Sequence, residues 1–125
     1  MQQEKTLIQG EFDALSVARE IVDVAADKKA NDITLLDLRE VTTLADFFVI
    51  ATGTSSRQIG AISSGIAERT KEEGVPLLAT EGRSEDGWVL LDYGQIIVHV
   101  FGPEERAYYD LERRWRDAHT LLRMQ

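Results

Sequence analysis

Residues 47–56 read Phe47-Phe48-Val49-Ile50-Ala51-Thr52-Gly53-Thr54-Ser55-Ser56, an apolar run that ends in four small residues. An apolar run of this length without alternation is typical of a strand that is buried on both faces. Ser55 is followed three residues later by Gln58, which is the spacing of a capping box at the start of a helix. The stretch therefore predicts a central strand that leads directly into a helix.

Helices and strands are predicted on both sides of this stretch. Apolar residues at helical spacing predict an amphipathic helix over residues 11–29, and Gly74 ends the helix that Ser55 begins. Pro103 suits the first turn of a last helix, predicted to run to about Leu122. The four further predicted strands are residues 33–38, 77–80, 88–92 and 96–101. This order predicts an α/β or α+β fold, with a mixed sheet of about five strands covered by helices.

The length and composition fit one soluble domain. The chain has 125 residues, of which 43% are hydrophobic, and this is enough for one core. Polar residues 1–10 are predicted to be a flexible N-terminus and residues 11–122 a single domain. The absence of cysteine excludes disulfides and thiolate metal sites. No apolar run approaches the roughly 18 residues of a membrane helix, and no targeting segment is recognised, so a cytoplasmic protein is expected.

The charge of the chain is unevenly distributed. Lys and Arg number 14 against 22 Asp and Glu, which gives a net charge of −8. From Pro103 onward five arginines balance five acids, so the whole deficit lies in residues 1–102. Because a negative surface repels phosphates, the composition predicts no direct nucleic-acid contact. A basic protein is the partner that it favours.

Two patterns suggest enzyme chemistry, and each has a simpler explanation. The turn Gly53–Ser56 has the position of a phosphate-binding loop but lacks the glycines and lysine of one, so a capped helix start is favoured. A nucleotidyltransferase needs two or three acids on adjacent strands to hold its metal ions. The acids in or beside the predicted strands are isolated in sequence: Asp37, Asp46, Glu81 and Asp92. We therefore expect no catalytic residues.

The two histidines also have simple explanations. His99 lies in the middle of a predicted strand on the same side as Ile97 and Phe101, where a packed, hydrogen-bonded residue is more common than a catalytic one. His119 is expected at the surface of the last helix. Neither has a companion at a recognised metal-ligand spacing, so neither a metal nor a cofactor is expected.

The segment from Glu81 to Tyr93 is the candidate for partner binding. Strand alternation places Trp88, Leu90 and Asp92 on one face, and Val89, Leu91 and Tyr93 on the other. Trp88 suits a core position and an interface anchor equally well. We predict a partner-binding patch in which Tyr93 acts from the strand end. Its members are Trp88, Asp92 and Tyr93, edged by the acids Glu81 and Asp86.

The last predicted helix carries an aromatic stripe. Tyr108, Leu111 and Trp115 recur at helical spacing, which favours packing against the sheet. The arginines and glutamates between them are expected to form a solvated face with local ion pairs.

The chain resembles the ribosomal silencing factor family, also called Iojap-like proteins, from about residue 15 to residue 118. Each motif is weak alone, but the ordered set at the family's spacing is highly specific. Gln95 departs from the family, in which an aspartate commonly follows the glycine, and this departure lies in a turn. The matching segments are Lys28-Lys29-Ala30, Asp32-Ile33, Leu36-Asp37-Leu38, Ala45-Asp46-Phe47-Phe48-Val49-Ile50, Thr52-Gly53-Thr54-Ser55-Ser56-Arg57-Gln58, Glu81-Gly82, Trp88-Val89-Leu90-Leu91-Asp92-Tyr93-Gly94, Val98-His99-Val100-Phe101, Glu105-Arg106, Tyr109, Leu111-Glu112 and Trp115.

This resemblance implies a nucleotidyltransferase-like fold without the catalytic acids. It implies binding to the fourteenth protein of the large ribosomal subunit, a steric block of small-subunit joining, and repression of translation when nutrients are short. It also implies a homodimer. Two alternatives stay open: a residual nucleotidyltransferase, and an assembly scaffold with a non-ribosomal partner.

Overall fold

The structure is a computed structural model that describes residues 12–125. Residues 1–10, for which the sequence predicts a flexible segment, lie outside the described residues. The described part forms four α-helices, namely α1 (Ala14–Asp27), α2 (Ser56–Glu72), α3 (Pro103–Tyr109) and α4 (Leu111–Arg114). It forms six strands, namely β1 (Asn31–Asp37), β2 (Phe47–Thr52), β3 (Ala79–Arg83), β4 (Trp88–Asp92), β5 (Ile96–Phe101) and β6 (His119–Met124), and a 3-10 turn (Ser84–Asp86).

The strands make one mixed sheet in the order β3-β4-β5-β2-β1-β6. β2 and β5 pair in parallel at the centre, and the other four neighbouring pairs in residues 12–125 are antiparallel. The predicted α/β class with a mixed sheet is confirmed. The bounds predicted for β2, β4 and β5 agree with the structure. β3 is shifted toward the C-terminus relative to the predicted residues 77–80.

The turn after β2 caps a helix, as its sequence predicts. The hydroxyl of Ser55 accepts a hydrogen bond from the backbone N–H of Gln58 at 3.1 Å, which satisfies one of the free amides at the start of α2. The side-chain oxygen of Gln58 accepts from the backbone N–H of Thr54 at 2.7 Å. Its amide nitrogen donates to the carbonyl of Lys29 at 2.9 Å. One side chain therefore ties the start of α2 to the end of α1.

The two faces of the sheet are covered differently. α1 and α2 lie on one face and bury the apolar side chains that β1, β2, β4 and β5 direct toward them, such as Val49 and Val98. The opposite face carries a smaller cluster around Ile50 and Phe101. Leu111 of α4 and the partly buried Trp115 pack on that second cluster. The second face is therefore only partly covered, and β4 lies at its open side.

The prediction of one helix from Pro103 to about Leu122 is wrong. Asp110 adopts a left-handed conformation with φ of 48°, which ends α3 and leaves α4 as a single turn. The residues after Ala118 then pair with β1 as the edge strand β6. The aromatic stripe expected on this helix is divided, because Leu111 is buried while Tyr108 is 81% exposed. Backbone pairing with β1 prevails over local helical preference here.

Candidate functional site

Aromatic residues from four elements meet on the partly covered face of the sheet. We call this group the aromatic face and define it as Trp88, His99, Phe101, Phe48 and Tyr109. The ring centroid of Trp88 lies 4.9 Å from that of Phe101 and 4.4 Å from that of Tyr109. The indole N–H of Trp88 donates to Nδ1 of His99 at 3.2 Å. Trp88 is half-buried, so it is supported by the core and still presents surface to a partner.

His99 lies buried at the centre of the aromatic face. It is 4% exposed, and burial lowers its pKa to about 4. The ring is therefore neutral at pH 7. Because Nδ1 accepts from Trp88, the proton of the neutral ring is on Nε2. Nε2 has no hydrogen-bond partner among residues 12–125, and the ring lies 4.7 Å from Phe48 in an edge contact. The sequence expectation of a packed, hydrogen-bonded histidine is confirmed on the Nδ1 side.

Two acids share this side of the sheet with Trp88. Asp92 lies on the same face as Trp88 by strand alternation, and one of its carboxylate oxygens accepts from the backbone N–H of Gly94 at 2.8 Å. Glu81 of β3 is exposed and paired directly with Leu90, so it stands on the same face one strand further out. The structure therefore places Trp88, Asp92 and Glu81 of the predicted patch on one face, with Leu90 between Trp88 and Asp92.

The other two members of the predicted patch lie elsewhere. The expectation that Tyr93 joins the surface is wrong, because its side chain points to the helix-covered face, where it is 3% exposed. Its hydroxyl makes a 2.8 Å hydrogen bond with the hydroxyl of Thr70 in α2. Asp86 lies in the 3-10 turn, which packs against α2, and its carboxylate pairs with Arg83 at 3.4 Å. Tyr93 is therefore a core residue, and Asp86 belongs to the sheet edge.

A buried arginine holds the segment that covers the aromatic face. The guanidinium of Arg106 donates to the hydroxyls of Thr52 at 2.9 Å and Thr34 at 3.1 Å, and to the backbone carbonyl of Asp32. It also pairs with the carboxylate of Glu112 at 2.5 Å. One side chain thus joins α3 and α4 to β1 and β2. The expectation of solvated arginines on the last helix is wrong at this position.

Sequence reasoning missed Arg106 and Tyr109 as parts of this site. The signal for Arg106 was the pair of threonines, Thr34 and Thr52, inside otherwise apolar strands. Such hydroxyls need a partner when they are buried. Tyr109 gave no local signal, because its contact with Trp88 depends on the break at Asp110.

The described residues give little support to a metal centre or a membrane span. In residues 12–125, no group of three or more His, Cys, Asp or Glu side chains is arranged to hold a metal ion. No helix in the same range is long and apolar enough to cross a membrane. The turn Gly53–Ser56 borders an open cavity of about 470 Å³ whose other side carries Glu85, Glu104 and Glu105. Carboxylates in this position disfavour a phosphate ligand.

Comparison with known proteins decides the family. Residues 11–125 match the family described as ribosomal silencing factor during starvation. This chain belongs to the ribosomal silencing factor family. The resemblance found in the sequence, over about residues 15–118, is thereby confirmed.

Several members of the ribosomal silencing factor family and its relatives are similar to this chain. The ribosomal silencing factor RsfS of Bacillus subtilis is 41% identical over 104 residues, which cover 80% of this chain and 88% of that protein. A crystal structure of a Chromobacterium violaceum protein superposes with a TM-score of 0.80 at 35% identity and covers 83% of this chain and 87% of that one. A mouse protein named mitochondrial assembly of ribosomal large subunit protein 1 is 30% identical over 98 residues, or 76% of this chain and 43% of that protein.

Proposed function

We propose that this chain binds the large ribosomal subunit through its fourteenth protein, and that the bound chain keeps the small subunit from joining. Translation is then repressed when nutrients are short, in the cytoplasm and without any chemical step by the chain itself. The observation that carries the proposal is membership of the ribosomal silencing factor family, together with a partly covered aromatic face edged by acids. The name of the mouse relative also points to the large subunit.

The chemistry of the aromatic face fits a basic protein partner. Trp88 and Tyr109 present large amphipathic rings that are already held by core contacts, so little side-chain entropy is lost on binding. Glu81 stands on the same face as Trp88 one strand further out, and Asp92 lies on that face further along β4. The net charge of −8 gives longer-range attraction toward a positively charged protein. Aromatic anchors would supply affinity, and the acids would orient the partner.

Sedimentation of ribosomal subunits tests the proposed function directly. Purified large and small subunits are mixed with increasing amounts of the protein and separated on a gradient. We expect the joined ribosome peak to fall and the protein to co-migrate with the large subunit alone, because the bound protein occupies the joining surface. Co-migration with joined ribosomes whose amount does not change would contradict a steric block.

Substitutions on the aromatic face test where the partner binds. We expect Trp88→Ala to weaken binding to the isolated fourteenth protein by at least about thirtyfold, which corresponds to about 2 kcal/mol for loss of an aromatic anchor. Asp92→Lys should slow association and change its dependence on salt, because it reverses a charge at the edge of the contact. Binding is measured by surface plasmon resonance over a series of salt concentrations.

Matched variants separate binding from folding in this test. Asp23→Lys makes the same charge reversal at an exposed position of α1, on the opposite side of the sheet, and should bind like the parent. Trp88→Phe keeps an aromatic ring but loses the hydrogen bond to His99 and part of the ring volume, so it separates these losses from removal of the whole ring. Circular dichroism and melting confirm the fold of each variant. If Trp88→Ala and Asp92→Lys are folded and both bind like the parent, the partner binds elsewhere.

A further inference from the structure

Three arginines of the C-terminal segment have no carboxylate partner among residues 12–125. They lie outside the aromatic face. Two of the five arginines after Pro103 are in ion pairs, Arg106 with Glu112 and Arg123 with Asp32. The other three are exposed and make no ion pair or side-chain hydrogen bond within residues 12–125. They are Arg113, Arg114 and Arg116. Three positive charges without carboxylate partners therefore lie close together in sequence, in a segment whose formal charge is zero and not negative as in residues 1–102.

These arginines line an open groove with two tyrosines. The groove has a volume of about 740 Å³, and its other lining residues are Tyr108, Tyr109, Asp110 and Asp117. Tyr108 is 81% exposed and Tyr109 43% exposed, and their rings lie 5.0 Å apart at nearly a right angle. Three guanidinium groups against two carboxylates leave the groove positive. We call this set of seven residues the arginine groove.

A groove lined by guanidinium groups and by exposed aromatic rings fits single-stranded RNA. Arginines bind backbone phosphates, and a ring left in water offers a platform on which an unpaired base can stack. Tyr108 has this exposure, while Arg113, Arg114 and Arg116 supply the phosphate contacts. The net charge of −8 opposes wrapping of RNA around the whole chain, but charge concentrated at one groove permits a local contact.

The arginine groove adjoins the aromatic face. Tyr109 belongs to both, because its ring contacts Trp88 at 4.4 Å and also lines the groove. A protein docked on Trp88 therefore lies beside the groove. On the large subunit, ribosomal proteins are embedded in ribosomal RNA, so docking on one of them would bring RNA phosphates near the arginines at high effective concentration.

We propose that the arginine groove binds ribosomal RNA phosphates next to the docked ribosomal protein, so that the chain engages the large subunit through two adjoining surfaces. This inference rests on the proposed function. It revises the sequence expectation of no direct nucleic-acid contact, which counted the C-terminal arginines as balanced by acids and did not show which of them form ion pairs.

The test compares a groove variant with a matched variant that loses the same charge. The groove variant is Arg113→Gln, Arg114→Gln and Arg116→Gln together. The matched variant is Arg19→Gln, Lys29→Gln and Lys71→Gln together, at exposed positions of α1, of the turn after it and of α2. Each protein is titrated against purified large subunits and against the isolated fourteenth protein, at salt concentrations between about 50 and 200 mM.

We expect the groove variant to bind the large subunit at least about tenfold more weakly at low salt. The slope of log affinity against log salt should become shallower by about 2 to 3, since each lost phosphate contact removes roughly 0.7 to 0.9. Its affinity for the isolated protein should stay within about twofold of the parent. The matched variant should behave like the parent in both titrations. Tyr108→Ala should weaken only subunit binding, through lost stacking.

Four results would overturn the inference, and the first three leave the proposed function intact. An equal loss on the isolated protein would show that the groove contacts an acidic protein surface and not RNA. Unchanged affinity and salt slope on the large subunit would show that the groove contacts neither. An equal loss of affinity in the matched variant would show that the effect depends on net charge and not on the position of the arginines. Failure of the parent protein to bind the large subunit would overturn both the proposed function and this inference. This result is therefore distinguishable from the others, which concern the arginine groove alone.

Discussion

Replacing Arg106 by methionine should lower the free energy of unfolding by about 3 kcal/mol. Arg106 is 8% exposed, and its guanidinium satisfies two threonine hydroxyls, one backbone carbonyl and one carboxylate at once. Methionine fills part of the volume but leaves these groups without a donor. Glu112 and Asp32 are partly exposed and can regain water, so the loss is at the lower end of the range for a broken buried pair.

Arg123→Met is the matched control for this prediction. Arg123 also pairs with Asp32, at 3.1 Å, but its side chain is 53% exposed. An exposed pair contributes less than about 1 kcal/mol, so this variant should unfold nearly like the parent. Both are measured by urea unfolding followed by circular dichroism. Equal losses in the two variants would mean that Arg106 acts as an ordinary surface ion pair and does not hold the C-terminal segment.

Acidification from about pH 6.5 to pH 4 should destabilise the protein by about 3 kcal/mol through His99 alone. The folded protein holds the pKa of His99 at about 4 because the ring is buried, whereas the usual value is 6.5. The unfolded chain therefore takes up a proton first as the pH falls. The contribution of the neutral ring is complete above about pH 6.5 and is lost as the pH falls toward 4.

Two histidine variants isolate this effect from the carboxylates that also titrate in acid. His99→Gln should flatten the loss of stability between pH 6.5 and 4 relative to the parent, although it also lowers stability at neutral pH. His119→Gln, at an exposed position of β6, is the matched variant that loses a histidine outside the core. Urea unfolding at each pH gives the free energies. A His99→Gln curve parallel to that of the parent would contradict a neutral buried His99.

The centre of the fold could be predicted from the sequence because its signals are local. The apolar run of β2 and the capping hydroxyl of Ser55 act within a few residues, and both are confirmed. Strand alternation placed Trp88 and Asp92 on one face for the same reason. Glu81 could be assigned to that face only from the pairing of β3 with β4, which the sequence does not display.

The C-terminal third could not be predicted because long-range contacts decide it. Residues 119–124 become a strand only where β1 offers an unpaired edge. The left-handed turn at Asp110 lets Leu111 and Trp115 reach the second face of the sheet, where they bury apolar surface that a continuous helix would leave in water. Tyr93 was misplaced for a different reason, because the prediction set aside the strand alternation that already put it on the face opposite Trp88. The alternation of β4 continues through it, and its hydroxyl finds Thr70 across the core.

The parallel pairing of β2 with β5 has a consequence for how the chain folds during synthesis. Phe47 pairs with Ile96, and Thr52 pairs with Phe101. β2 therefore cannot complete its pairing until residues that are made much later in translation have emerged. Until β5 emerges, one edge of the most apolar strand is open, and pairing it requires ordering the intervening residues 53–95, which include α2, β3 and β4. A chain that ends before β5 should therefore leave the edge of β2 open and be prone to aggregate.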